Sequence, residues 1–143
     1  MKNRNDRFLL TALLSLFLVV FAGMVFAQEN SGKEAVQIIR KPGVGNYLAG
    51  SNGMTIYYFK NDSPGKSVCD GPCIKKWPAY CYKVDELAIP KGLKKSDFGW
   101  FLRADGVEQT TYKGMPLYRY SGDQVSGDTN GQGLNDVWFV VNP

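Results

Sequence analysis

The 143-residue chain contains no histidine. That absence excludes Ser-His-Asp hydrolysis, Cys-His nucleophilic catalysis, His-ligated zinc or copper, and haem attachment through C-x-x-C-H. Charge of one sign is also scarce in excess: 17 Lys and Arg stand against 13 Asp and Glu. So even a balance gives no electrostatic case for binding nucleic acid. Cysteine is limited to Cys69, Cys73 and Cys81, an odd number. Without histidine, acid–base catalysis would fall to paired Asp residues or a metal, and no spacing singles out such a pair. The chain is therefore not expected to be an enzyme, and no residue is assigned as catalytic.

What is present begins with an export signal. Lys2, Arg4 and Arg7 precede an apolar stretch from Phe8 to Ala27, which ends Val25-Phe26-Ala27. Small or aliphatic residues at −3 and −1 suit signal-peptidase cleavage after Ala27. The alternative is an uncleaved anchor, since a span needs about 20 apolar residues. Residues 1–27 are read as a signal peptide, 28–44 as a polar spacer with one strand at Val36–Ile39, and 45–143 as the ordered domain. Much of the basic excess leaves with the leader. The destination is periplasmic or extracellular, where disulfides persist.

An internal repeat organises the rest. Gly53-Met54-Thr55-Ile56-Tyr57-Tyr58-Phe59-Lys60-Asn61-Asp62 matches Gly114-Met115-Pro116-Leu117-Tyr118-Arg119-Tyr120-Ser121-Gly122-Asp123 without a gap. Trp77 and Trp138 fall at equivalent places. Two copies are too few for a solenoid. They imply one small α+β domain, predominantly β, of two hairpin-containing repeats (about 46–80 and 99–141) with pseudo-twofold organisation. Turn residues Gly50-Ser51-Asn52-Gly53 and Ala104-Asp105-Gly106 predict hairpins. Val137–Val141 predicts a closing strand, and Ile74–Trp77 a helical turn stopped by Pro78. Residues 83–97 read as a loop with about one helical turn. Strand alternation puts Tyr57 with Phe59, and Tyr118 with Tyr120, on the core face, because Arg119 on the opposite face resists burial.

Four groups of residues are candidates for function. Asp62 and Asp123 suit turns, where they accept backbone N–H groups; the sharper reading is a Tyr57–Asp62 hydrogen bond repeated as Tyr118–Asp123, which strand parity does not settle because a turn intervenes. Cys69, Cys73 and Cys81 admit three single pairings. They form either a structural staple with a spare thiol or a redox or Cu(I) site of soft ligands. Asp123, Asp128, Asn130, Gln132 and Asp136 supply oxygens and turn geometry of the kind a Ca²⁺ loop uses, but Phe139 stands where an EF-hand needs Glu. The plainer reading is a Gly-rich turn bonded to its own backbone. Tyr80 and Tyr82, flanking Cys81 outside the repeat match, are the candidates for an exposed aromatic binding surface.

These words together resemble a known family. Tyr57-x4-Asp62, Tyr118-x4-Asp123, Asp62-Ser-Pro-Gly-Lys-Ser67, Cys69-x3-Cys73-x3-Trp77-Pro78 and Gly127-Asp-Thr-Asn-Gly-Gln-Gly133 resemble the secreted-repeat, lipoprotein-type family with a Y-x4-D motif, over residues 46–141. The resemblance implies an exported envelope protein, a compact two-repeat domain and a Cys69–Cys73 pairing, with Cys81 left over. It implies no reaction. Members often carry a lipid-modified cysteine at the mature N-terminus, and no cysteine stands there, so no lipid anchor is expected. The expected role is a non-catalytic module binding an envelope protein or small ligand. The alternative is a small redox or metal-handling protein, with Ca or Cu as the only cofactors considered.

Overall fold

The structure, a computed structural model, describes residues 36–143. The leader, its cleavage after Ala27 and the start of the spacer lie outside the described residues. Among those described, no helix is long and apolar enough to cross a membrane.

The ordered domain starts earlier than Gly45. β1 (Gln37–Lys41) pairs antiparallel with β2 (Gly45–Ala49), from Gln37 opposite Ala49 to Lys41 opposite Gly45. The reason is burial: Val36 sits in one core and Ile39 packs on the other. Local pattern does not reveal this, because the half-buried face of β1 carries Gln37 and Lys41 beside Ile39, while the apolar Ile38 faces outward with Arg40.

The second sheet has five strands in the order β4-β5-β6-β3-β7. These are β3 (Tyr57–Phe59), β4 (Phe98–Leu102), β5 (Glu108–Tyr112), β6 (Met115–Tyr118) and β7 (Trp138–Val140). The β4–β5 hairpin turns at Ala104-Asp105-Gly106, as its sequence predicts; Asp105 Oδ1 accepts the Val107 N–H at 3.2 Å. The short helix α1 (Pro72–Lys76) opens on proline, which loses nothing in a first turn, and ends at Trp77 before Pro78. Residues 83–97 hold two 3-10 turns, Val84–Glu86 and Lys95–Asp97.

The repeats interlock at the sheet's centre. β3 and β6 run antiparallel with Tyr57 opposite Tyr118. Matching hydrogen bonds then pass in both directions. Val141 N–H donates to Ile56 O at 3.0 Å, and Tyr80 N–H to Leu117 O at 2.8 Å. Lys60 N–H donates to Val137 O at 2.8 Å, and Ser121 N–H to Lys76 O at 3.0 Å. Gly65 N–H donates to Gly114 O at 2.9 Å, and Gly127 N–H to Gly53 O at 3.1 Å. Each bond joins one repeat to the other, so neither copy satisfies its own backbone alone.

Both faces of the central strands are packed. Tyr57, Tyr118, Tyr47, Cys69, Trp77 and Trp138 form one buried cluster, with Phe59 and Tyr120 at its margin. At its middle the equivalent tryptophans stack, ring centroids 3.8 Å apart and planes within 3°. This is the face that alternation assigns to the core. The opposite face is also covered, by Ile56, Leu117, Tyr80, Leu87, Phe98 and Val141, with Tyr58 against them. Arg119 accommodates this by laying its guanidinium 5.1 Å from the centre of the Tyr80 ring.

Candidate functional site

The repeated tyrosines and aspartates meet, but across the repeats. Tyr57 OH donates to Asp123 Oδ2 at 2.7 Å. Tyr118 OH donates to Asp62 Oδ2 in a short hydrogen bond. The expectation of Tyr57–Asp62 and Tyr118–Asp123 bonds is therefore corrected. Antiparallel pairing places the tyrosines side by side and sends the turns after β3 and β6 to opposite ends. Each aspartate thus returns beside the other copy's ring.

The aspartates do serve their turns. Asp62 Oδ1 accepts Val68 N–H at 2.8 Å, and Asp123 Oδ1 accepts Asn130 N–H at 2.9 Å. Both tyrosines are fully buried. Burial raises the pKa of each phenol well above the usual tyrosine range, and the adjacent carboxylate adds to this. Burial also raises Asp62 and Asp123, opposed by the tyrosine hydroxyl and the backbone N–H each accepts.

A cation from the opposite half of the chain stands beside each arrangement. Arg103, just after β4, is buried. It donates from Nη1 to Ser67 Oγ at 2.9 Å and Gln109 Oε1 at 2.7 Å, and from Nη2 to Cys69 O at 2.7 Å. Its Nε faces Asp105 Oδ2 at 3.1 Å. Ser67 Oγ lies 2.6 Å from Tyr118 OH. A continuous chain therefore runs Arg103–Ser67–Tyr118–Asp62. Lys41, at the end of β1, reaches Gly127 O at 2.8 Å and Thr129 Oγ1 at 3.0 Å. Lys41 and Arg103 close corresponding hairpins on corresponding hydroxyls. The gap-free match begins only at Gly53 and Gly114, so sequence comparison missed both. The sign was two basic residues, each ending a hairpin's first strand.

Cys69 and Cys73 are joined, with Cα atoms 5.3 Å apart, and Cys81 is a free, exposed thiol. Desolvation raises the Cys81 pKa, with Arg103 acting against it. The other repeat has no disulfide. Gly131 lies against Tyr57 there, its N–H donating to the phenol oxygen at 3.2 Å. A β-carbon on Gly131 would fall 2.7 Å from the Trp77 ring and 2.9 Å from Tyr57. One copy is locked by a covalent staple, and the other by close backbone approach.

The loop considered for Ca²⁺ is largely occupied with its own backbone. Asp128 Oδ2 accepts Gln124 N–H at 2.8 Å and Val125 N–H at 3.0 Å. These bonds hold the Asp128 carboxyl below its usual range. Asn130 Nδ2 donates to Gly122 O at 3.2 Å, and Gln132 Oε1 accepts Val140 N–H at 2.8 Å. Asn135 and Asp136 carry positive φ, 53° and 61°. No group of three or more His, Cys, Asp or Glu among the described residues could hold a metal ion.

The aromatic surface is not where the tyrosines suggested. Tyr80 is buried in the core and Tyr82 is half-buried, because the segment after Pro78 runs along the sheet instead of looping away. Tyr80 N–H and O bond to Leu117 and Thr110, and Tyr82 N–H donates to Thr110 Oγ1 at 2.8 Å. Among the described residues the exposed aromatic is Trp100, 58% accessible, with Leu102 beside it at 63% and Val107 at the turn. A strand reading Phe-Gly-Trp-Phe-Leu is apolar on both faces, so periodicity could not say which side meets water.

Fold and site define a small, mostly β domain of two mutually braced repeats, stapled once by a disulfide. The chain belongs to the family described as a secreted repeat of unknown function (Lipoprotein_15), which matches residues 39–80 and 99–142. No curated protein and no solved structure matches it.

Proposed function

We propose that this chain is a non-catalytic interaction module of the cell envelope or extracellular space, organised as a pseudo-twofold pair of repeats. Its leader is removed after Ala27. The observation that carries the reading is the exposed apolar pair Trp100 and Leu102 on edge strand β4, with Val107 exposed in the turn that follows. Isolated exposed apolar residues are ordinary, but two on one sheet edge with a third in the adjoining turn favour contact with another polypeptide. The repeat motif supports the same reading from the other side. Its tyrosines, aspartates, Ser67 and Arg103 bond to one another in the interior, which suits bracing and leaves no poised acid–base pair facing a cleft. The pseudo-twofold organisation is supported by the reciprocal hydrogen bonds and the crossed Tyr–Asp pairs.

The test uses protein recovered from the exported fraction as bait for envelope proteins. Wild type should retain partners that Trp100→Lys loses, while Tyr57→Phe retains them at temperatures where it stays folded. Identical retention by wild type and Trp100→Lys would refute the reading. N-terminal sequencing of the same preparation checks cleavage after Ala27.

A further inference from the structure

The two outer edges of the five-stranded sheet are treated differently. β7 is covered by its own loop: Gly133 N–H donates to Trp138 O at 2.8 Å, and Gln132 Oε1 takes the Val140 N–H at 2.8 Å. On β4 no hydrogen bond of the described residues reaches the outer backbone groups, although the turn Val84–Glu86 packs beside the strand near Phe98. Its inner side bonds to β5 through the odd-numbered positions. Lys113 N–H donates to Asp97 O, and Arg103 N–H to Val107 O, which fixes the alternation along the strand. The N–H and C=O groups of Phe98, Trp100 and Leu102 therefore point outward. Sheet edges are ordinarily guarded by lysine, proline, a bulge or a covering loop. Phe98-Gly99-Trp100-Phe101-Leu102 has no charge and no proline, and pairs with β5 in unbroken register.

We propose that β4 is a self-association edge, on which a second copy of this chain adds its own β4 antiparallel about a twofold axis at Trp100. This deepens the interaction-module reading and rests on it. The register follows from the backbone. With Trp100 opposite Trp100 of the second copy, Phe98 lies opposite Leu102 and Leu102 opposite Phe98. The outward groups on both strands are then the ones that meet, and every one finds a partner. Opposed residues share a face, so the two exposed Trp100 side chains meet across the seam and each Leu102 lies against the other copy's Phe98. Charge complementarity selects a second copy over an arbitrary peptide. Lys94, Lys95 and Asp97 stand just before β4, and Arg103 and Asp105, which face each other, just after it; Lys94, Lys95 and Asp105 are exposed. Antiparallel self-pairing brings the lysines of each copy to the other's Asp105, whereas parallel pairing would set like charges together. The contact is isologous, so it closes at two copies and does not propagate. One strand and a few side chains place it at the small end of protein interfaces, where association is weak.

Sedimentation equilibrium on protein purified from the exported fraction tests this. A monomer–dimer equilibrium is expected between about 1 and 100 µM. Trp100→Lys should raise the dissociation constant at least about 30-fold, as loss of a central tryptophan anchor does. Leu102→Glu should weaken it similarly, and circular dichroism of both variants should match wild type because both sites are exposed. Raising salt from 50 to 500 mM should weaken the wild-type dimer. A monomer at 100 µM overturns the proposal, and so does a dimer indifferent to both substitutions. Neither result touches the broader reading, which falls only if bait experiments show no partner dependent on Trp100.

Discussion

Tyr118→Phe removes one hydroxyl from a fully buried site and changes nothing else in shape. That hydroxyl donates to Asp62 and lies 2.6 Å from Ser67 Oγ. Asp62 keeps one bond, from Val68 N–H, but its second oxygen loses its partner inside the fold. Ser67 keeps Arg103 and the Cys69 N–H. A hydrogen bond to a charged group is worth about 1.5–3 kcal/mol, and a stranded acceptor adds its desolvation cost. The expected loss is about 2–4 kcal/mol, which lowers the melting temperature by roughly 10–20 °C in a domain of this size. Thermal and urea unfolding measure it. The crossed connectivity is tested by double-mutant cycles combining Tyr118→Phe with Asp62→Asn or with Asp123→Asn. Coupling should be about 1.5–3 kcal/mol for the Asp62 cycle and below about 0.5 kcal/mol for the Asp123 cycle. A larger coupling with Asp123, the aspartate of Tyr118's own repeat, would refute the crossed arrangement.

Other outcomes follow from the same geometry. Tyr57 and Tyr118 hold their protons above the ordinary tyrosine pKa of about 10, so the unfolded chain loses protons first as pH rises. Their contribution is complete below about pH 10 and lost above it, by up to about 2.7 kcal/mol per pH unit for two phenols; the Tyr57→Phe/Tyr118→Phe protein should show a flatter alkaline limb in urea titrations. Asp62 and Asp123 are raised too, so their linkage favours the folded state on the acid side and declines as pH rises through their folded values; a melting temperature limited at pH 4 by these two carboxyls would contradict this. Gly131→Ala should cost about 1–3 kcal/mol by forcing Trp77 or Tyr57 aside, and equal stability would show that the cluster yields. Peptide mapping under non-reducing conditions should recover Cys69 linked to Cys73 and Cys81 alkylated; three alkylatable thiols in the exported protein would contradict the pairing.

Much of the fold was legible because it depends on local chemistry. The hairpin at Asp105-Gly106, the helical turn stopped before Pro78 and the strand near Val137–Val141 follow from turn residues and β-branched runs. The repeat showed which tyrosines and aspartates matter. The strand at Val36–Ile39 was legible, but not its place in the ordered domain, because Val36 and Ile39 are buried by segments distant in the chain; Lys41 and Arg103 lay outside the gap-free match. Tyr80 was read as exposed since nothing local tells a chain crossing a sheet from one leaving it.

The sequence by itself determined the core of the polar interior: one tyrosine and one aspartate in each of two copies. It could not say which copy completes which. That assignment belongs to the tertiary structure, because a hydrogen bond reads distance in space, whereas the spacing of Tyr57 and Asp62 gives only distance along the chain. Once β3 and β6 pair antiparallel, Tyr57 lies beside Tyr118 and each turn is carried to the other repeat's ring. The same pairing order decided that β4 lies at a sheet edge, and so which of its apolar residues meet water.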